Sequence, residues 1–435
     1  MLFGTAMRAV RSRLHTESRQ LLKRAFPSRA AAGTASARLG VHTESRQLLK
    51  PVTVIAITGG PCGGKTSALV ELAATLPGLG GVDVMTAPEF STLFFQGGCP
   101  YPAAGTRDSR VAWDLNKLKA QMAFEDAFRR VAESRGADSA PVVILVDRGV
   151  MDTKAFVSKE AWKDMLKRHG WDEEQFLRRY DSVIHMVSTA IGAEEHYNGA
   201  NNDARRETAE EAGVQDRQIR DAWMQHPDFR IVSNRDCDFG AKLIKVVAHV
   251  CEVAGLPTPV GTNKQRWLVK GGFQHNNITE GNCEGIENIV AHHVETDFIA
   301  GTAVGRNNAD DVCIRRRRRL DEEEGHQHWI YSVHERRPDG STRSRPLARR
   351  EYNFLKNLSQ EDTMVSKMTS FIFEETLWKL DEFCGEGDGD SVCVLTLEAG
   401  SLMTEPPSSC FSVISRVGNL SLREVRDTLL LHSET

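Results

Sequence analysis

The chain has 435 residues, enough for two or three domains, and its 55 Lys and Arg against 59 Asp and Glu leave a formal net charge of -4. A charge that small gives no sign of a general nucleic-acid partner, and no run approaches the roughly 20 apolar residues of a membrane span. The nine cysteines are scattered with no C-x-x-C pair, which excludes a zinc or disulfide framework and reads as the reduced thiols of an intracellular protein.

The N-terminal residues 1–50 stand apart. Residues 1–40 are rich in Arg, Ala and Ser and hold a single acid, Glu17, the composition of an organelle transit peptide. His15–Lys23 and His42–Lys50 both read HTESRQLLK, a direct repeat too short for a solenoid and consistent with a duplication or a gene-start artefact. Mitochondrial or plastid import and a basic disordered tail are both compatible with this stretch, which is set aside from the fold.

From residue 51 to 258 strands and helices alternate. Val52–Thr58 is β-branched and apolar, and Ser67–Leu76 has helical spacing. Between them Gly59-Gly60-Pro61-Cys62-Gly63-Gly64-Lys65-Thr66 fits G-x-x-x-x-G-K-[ST], in the strand–loop–helix context that motif requires, with Ser67 following as a further candidate nucleotide-binding residue. Backbone N–H groups of the glycines would turn toward phosphate oxygens at a helix N-terminus. Lys65 would reach the β- and γ-phosphates, and the Thr66 hydroxyl would ligate Mg²⁺. The bland alternative is a glycine-rich turn with a chance lysine.

Val82–Thr86 is a short strand candidate leading to Glu89, and Asn116–Ala132 a helix. Val142–Val146, Val183–Val187 and Phe229–Ser233 are further strands, and Phe239–Ala254 a helix. This pattern predicts an α/β domain with a parallel sheet covered on both faces, ligands binding at the carboxyl ends of its strands. Gly59, Glu89 and Asp147 fall at such ends. Asp147 is placed to hold Mg²⁺, or else to cap the next turn. Arg148 is a phosphate clamp or a surface ion pair. Glu89 and Asp147 are the candidate catalytic carboxylates. There is no N-K-x-D base-reading motif.

From about 259 to 420 the pattern turns to strands: Arg266–Lys270, Ile289–Phe298, Val312–Arg319, Trp329–Arg336, Ser370–Leu380 and Val392–Leu397. They predict an antiparallel barrel or sandwich, with 421–435 as a tail. Along Arg315-Arg316-Arg317-Arg318-Arg319 alternate side chains share a face, so Arg315, Arg317 and Arg319 would point one way and Arg316 and Arg318 the other. A barrel interior lined so would hold an anion, bound bidentately, with Glu295, Asp297 and Glu398 balancing the charge directly or through a metal. A nuclear localisation signal, an exposed nucleic-acid patch and a solvated edge strand compete with that reading.

Several stretches carry a resemblance. Asp147–Asp152, Ala155–Glu160, Val183–Ser188, Gly192–Glu195, Trp223-x-x-His226-Pro227 and Asn234 with Asp238-Phe239 resemble the TRPL translocation defect protein family, whose first domain is related to the ribosylnicotinamide kinase part of NadR. The resemblance implies a P-loop domain of nucleoside-kinase type that binds GTP, with Arg205 and Glu207 in a lid-like segment and Trp223–Asn234 near the base. Trp223 reads equally as a core aromatic. His293–Ile299, the Arg315/Arg317 strand, Ile330–Arg337 and Glu351–Leu355 look like that family's CYTH-like, triphosphate-tunnel domain, which implies binding of phosphoinositide head groups or other polyphosphate, with Arg336 and Lys367 joining the arginines. The opening pair of acids is Glu295-Thr296-Asp297, and the Gly385–Asp390 loop departs from the family pattern.

The functions these readings predict are three. One is a regulatory protein binding GTP (or ATP) with Mg²⁺ and a phosphoinositide or anionic membrane surface, cytoplasmic or peripheral at membranes, with a membrane-protein client and no specific nucleic acid. The second is a small-molecule, nucleoside-like kinase. The third is a metal-dependent polyphosphate hydrolase.

Overall fold

The structure is a computed structural model describing residues 52–136, 139–197, 208–235, 238–258, 265–269, 285–299, 312–321, 328–336, 342–359, 363–383, 392–397, 406, 411 and 413–416. Arg205, Glu207, Glu398, residues 1–50, the Gly385–Asp390 loop and the tail lie outside the described residues. The chain divides into two compact units, one of Met1–Trp171, Val183–Trp223 and Val232–Gly261, the other of Asp172–Ser182, Met224–Ile231 and Thr262–Thr435.

The first unit carries β1 (Val52–Thr58), α1 (Lys65–Gly80), β2 (Asp83–Ala87), α2 (Phe90–Gln96), α3 (Arg107–Glu133) and β3 (Val142–Asp147). After a 3₁₀ turn at Val150–Ala155 come α4 (Lys159–His169), then α5 (Glu173–Leu177), β4 (Ser182–Met186), α6 (Ala209–Trp223), β5 (Phe229–Val232) and α7 (Phe239–Ala254), of which α5, Ser182 of β4 and Phe229–Ile231 of β5 are counted with the second unit. Five strands form one sheet in the order β2-β3-β1-β4-β5, with β1 and β2 each parallel to β3. All seven residues of β1 are buried, because helices cover both faces and no side chain of a central strand reaches water. Ile55, Ile57, Val143, Leu145, Ile184 and Met186 on the strands pack with Leu69, Leu72 and Leu76 of α1 and Leu243, Val246, Val247 and Val250 of α7. The order puts β1 between β3 and β4, so the loop after β1 leaves the sheet beside the ends of both neighbours.

The second unit holds β6 (Gln265–Val269), β7 (Ile286–Ile299), β8 (Val312–Arg319), β9 (Ile330–Arg336), β10 (Thr342–Leu347), α8 (Arg349–Lys356), β11 (Met364–Phe373), β12 (Thr376–Phe383), β13 (Val392–Leu397) and β14 (Val413–Arg416). They form one nine-stranded sheet, every recorded pairing antiparallel, in the order β10-β9-β8-β7-β11-β12-β13-β6-β14. The predicted antiparallel class holds; among the described residues β10 and β14 end the order and no pairing joins them into a ring.

The strand expected over Ser370–Leu380 is in fact a hairpin, β11 turning into β12 at Glu374 and Glu375. Both turn residues have positive φ, 51° and 56°, the geometry of a tight turn that usually carries Asn or Gly. Two glutamates give no turn signal, so the sequence reads as one long strand. β10 was not anticipated because Pro346 interrupts it; it is tolerated there because β10 is an edge.

Candidate functional site

The loop after β1 is a cradle built from close approaches. Gly59 has φ 131°, and a Cβ there would lie 2.1 Å from the Met186 carbonyl oxygen at the end of β4. A Cβ at Gly60 would lie 2.5 Å from Asp216 Oδ1. Contact requires glycine at both positions, and at Gly59 the backbone conformation requires it as well. The Gly60 N–H donates to Asp216 Oδ1 at 2.8 Å, and so does the Ser188 N–H. The other carboxylate oxygen of Asp216 meets His185 Nε2 at 3.0 Å, with both side chains wholly buried. Burial opposes ionisation of Asp216, but the imidazole and the two N–H donors overcome it and hold its pKa at about 2. The Ser188 hydroxyl donates to the Pro61 carbonyl. Cys62 stands at positive φ in the same loop.

Lys65 opens α1 and donates from Nζ to the Gly59 and Gly60 carbonyls at 3.0 and 2.7 Å. Burial, then the charge of Arg148, pushes its pKa down to about 7. Thr66 and Ser67 follow on the exposed first turn, and Gly63 and Gly64 close the loop.

Asp147 ends β3, and burial pushes its carboxyl up to about 6. Arg148 follows at positive φ, 64°, strained into place by many partners. Its Nε pairs with Glu89 at 2.9 Å, and its Nη1 reaches the Gly59 carbonyl and Asp152, each at 3.3 Å. Its backbone carbonyl accepts from Gln121 at 2.8 Å. Burial works against the Glu89 carboxylate, but Arg148 and Lys65 hold its pKa below the usual range. Glu89, Lys65, Asp147 and Arg148 are therefore one electrostatic cluster. Arg148 is a partly buried ion-pair partner and not a surface one.

The structure gives partners to residues of the stretches that carry the resemblance. Asp152 accepts from Thr58 at 2.8 and 2.7 Å and from the Trp223 indole at 2.6 Å. Trp223 is fully buried, so it serves the core and Asp152 and presents no face to a base. Asn234 donates to the Ser188 and Ile191 carbonyls and accepts from Lys242 at 2.6 Å, tying β5 and α7 to the loop after β4.

In the second unit, register sorts the charges by face, since paired residues of adjacent strands point the same way. Arg315, Arg317 and Arg319 pair with Thr296, Val294 and His292 of β7, and Arg315 pairs with Ser332 of β9. Arg336 lies on that face through the β9 alternation. Across β11, the same face continues into Asp381 and Lys379 of β12 and Arg266 of β6. Arg315 donates to Thr296 Oγ1 at 3.2 Å and to Asp381 at 2.9 Å. Arg317 donates to the Gln225 carbonyl, and Arg319 pairs with Asp321. His292 is 1% exposed, and among the described residues neither ring nitrogen has a hydrogen-bond partner. Burial, then Arg317, Arg319, Lys379 and Arg315, hold its pKa well below the usual value, so it is neutral among cations. Lys379, Arg266, Asp381 and His292 escaped the sequence reading because only strand pairing brings them to the arginines.

Lys367 pairs with His293 and Glu382 and so belongs to the opposite face. Glu295 and Asp297 also lie there. Glu295 pairs with Arg316 at 2.6 Å, and Asp297 accepts from Tyr352 at 2.8 Å and from Thr363 at 2.5 Å, with Lys356 3.6 Å away. These acids are taken up by protein partners, and no group of three metal-ligating side chains occurs among the described residues. The pair does not fit a metal-holding role for the arginine face.

No helix among the described residues is long and apolar enough to cross a membrane. No curated protein matches the chain. Among solved structures, "inorganic triphosphatase NE1496" is 13% identical, over 35% of this chain and 86% of that one, at a TM-score of 0.20. "PH1819 protein from Pyrococcus Horikoshii OT3" is 16% identical, over 30% of this chain and 77% of that one, also at 0.20. Likeness at that score fixes neither fold nor chemistry. Residues 54–236 match the family model described as an AAA domain, the stretch that contains the P-loop, Glu89, the Asp147–Asp152 cluster and Asp216.

Proposed function

We propose that the first unit binds a nucleoside triphosphate with Mg²⁺, GTP in preference to ATP, and that the second binds polyphosphate of the phosphoinositide head-group kind. The observation that carries this is the cradle: a glycine loop held by Asp216, with the Lys65 ammonium 2.7 Å from the Gly60 carbonyl at the start of α1. Backbone donors and the helix N-terminus suit phosphate oxygens, and Lys65 and Arg148 supply positive charge at the γ end. Thr66 and Asp147 would hold the Mg²⁺, which neutralises charge between the β- and γ-oxygens. Asp147 suits this role: burial has raised its pKa to about 6, and a cation beside it restores the carboxylate.

The GTP preference, membership of the TRPL translocation defect family and a peripheral location with a membrane-protein client rest on the resemblance. The polyphosphate half is supported by Arg315, Arg317, Arg319, Lys379 and Arg266 sharing a face with a buried His292 that has no hydrogen-bond partner among the described residues. Calorimetric titration of the full chain with GTP and ATP in Mg²⁺ tests the first half. Lys65→Ala should weaken triphosphate binding about tenfold to a hundredfold, the worth of a charged hydrogen bond. Equal affinity in the variant would refute the cradle as the binding site.

A further inference from the structure

The second unit's sheet carries a groove on the face that the arginine set does not use. β10 pairs with β9 so that Arg343 meets Glu335, Arg345 meets Val333 and Leu347 meets Tyr331. Val333 pairs in turn with Ile314, which places this set on the face turned away from Arg315. α8 lies over that face, with Tyr352 buried and Leu355 packed on the cluster that holds Leu347, Tyr331 and Val333. Between α8 and β10 a groove of about 340 Å³ remains, lined by Arg345, Arg350, Glu351, Phe354 and Leu355.

This groove is cationic and apolar at once. Residues 343–356 hold five basic side chains against one acid, so positive charge is in surplus there. The acid, Glu351, is already engaged. It accepts from the Ala348 N–H at 2.8 Å at the start of α8, and it stands 3.9 Å from Arg345, a contact worth little. Arg350 is exposed and makes no hydrogen bond or ion pair among the described residues. Arg343 lies one strand period from Arg345 on the same face; its Nε and Nη2 are buried and have no hydrogen-bond partner among the described residues. Unpaired buried donors are costly, and a nearby anion offsets that cost. Phe354 is 66% exposed in the same groove. Arginines and a proline on an edge strand also serve to repel a second strand. That role requires neither a groove behind the edge nor a phenyl ring left in water.

We propose that this groove docks an extended acidic segment of a partner protein. β10 ends the strand order among the described residues, so its outer edge can take a further strand. A segment laid there turns alternate side chains to one face, the two-residue spacing of Arg343 and Arg345, so carboxylates at that spacing meet both guanidinium groups. Arg350 adds a third cation from α8, and an apolar side chain at the next position of that face meets Phe354 and Leu355. Pro346 lacks an N–H, which confines backbone pairing to the residues before it. Other occupants fit less well. A small anion leaves Phe354 in water, an apolar helix leaves the arginines unpaired, and a flat lipid surface does not enter a concavity between a strand and a helix.

The test is fluorescence anisotropy of the full chain with a labelled peptide, Gly-Phe-Ser-Glu-Ser-Glu-Ser-Phe-Gly, which reads the same in either strand direction. It should bind at a single site, and the same peptide with Gln for both Glu should bind at least tenfold more weakly. Arg345→Ala, Arg350→Ala and Phe354→Ser should each weaken the acidic peptide at least fivefold. Arg350 and Phe354 are exposed, so those two variants should keep the parent's melting temperature, which keeps the test valid if Arg345→Ala fails to fold. No binding of the peptide, equal binding of the Gln form, or unchanged affinity in the variants that fold overturns the proposal. Binding of phosphatidylserine vesicles through Arg350 and Phe354, with no peptide binding, overturns it in favour of a lipid surface. None of these residues belongs to the triphosphate or polyphosphate sites proposed above, so this test and theirs fail separately.

Discussion

Asp216 offers the sharpest perturbation, because one carboxylate holds three elements. It accepts from Gly60 of the cradle and Ser188 after β4, and it pairs with His185 on β4, all without solvent. Its pKa falls from the usual 3.8 to about 2, a differential stabilisation of about 2 kcal/mol for the ionised form. Because the folded value lies below the unfolded one, this stability is fully present above about pH 4 and is lost as pH falls through about 2. Asp216→Ala at pH 7 removes that term and also strands two buried N–H groups and the imidazole, for a total of about 3–5 kcal/mol. At about 2–4 °C per kcal/mol for a unit of this size, the first unit should melt roughly 6–20 °C lower. Asp216→Asn keeps an acceptor for the N–H groups, so it should lose about half as much and show a flatter acid limb. Calorimetric melts of the three proteins at pH 7 and pH 3 give the comparison. Asp216→Ala melting within about 2 °C of the parent would refute the reasoning, because the cradle would then be held by something else.

Other expectations follow from the same geometry. Lys65 sits near pKa 7 by itself and must be charged against phosphate, so triphosphate binding at pH 8 should take up protons; calorimetry in two buffers of different ionisation enthalpy reads this directly, and zero uptake in the parent, or equal uptake in Lys65→Ala, contradicts it. Arg315→Ala and Lys379→Ala should weaken tripolyphosphate binding about tenfold, whereas Arg316→Ala, on the other face beside Trp329, should change it less than twofold; equal effects would mean the faces are not distinct. Replacing Glu374-Glu375 by Asn-Gly should stabilise the β11–β12 hairpin by about 1–2 kcal/mol, since both positions have positive φ; a lower denaturation midpoint would show that the turn has another conformation.

Much of the first unit is legible in the chain because its signals are local. The P-loop motif is eight consecutive residues between an apolar strand and a helix, and Asp147 ends an apolar run, so neighbours in sequence carry the chemistry. The alternation of Arg315, Arg317 and Arg319 is equally local, a consequence of the two-residue period of a strand. What tertiary structure decided lies at long range. Asp216 reaches Gly60 across 156 positions, and nothing near Asp216 in the chain announces it. His292, Lys379 and Arg266 join the arginines only through the register of β7, β12 and β6, and the same register turns Lys367 and Glu295 away. A one-residue shift in pairing would exchange these sets, and short-range propensity carries no information about that shift. Residue types and local periods therefore named the chemistry, while strand pairing and packing chose which charges meet.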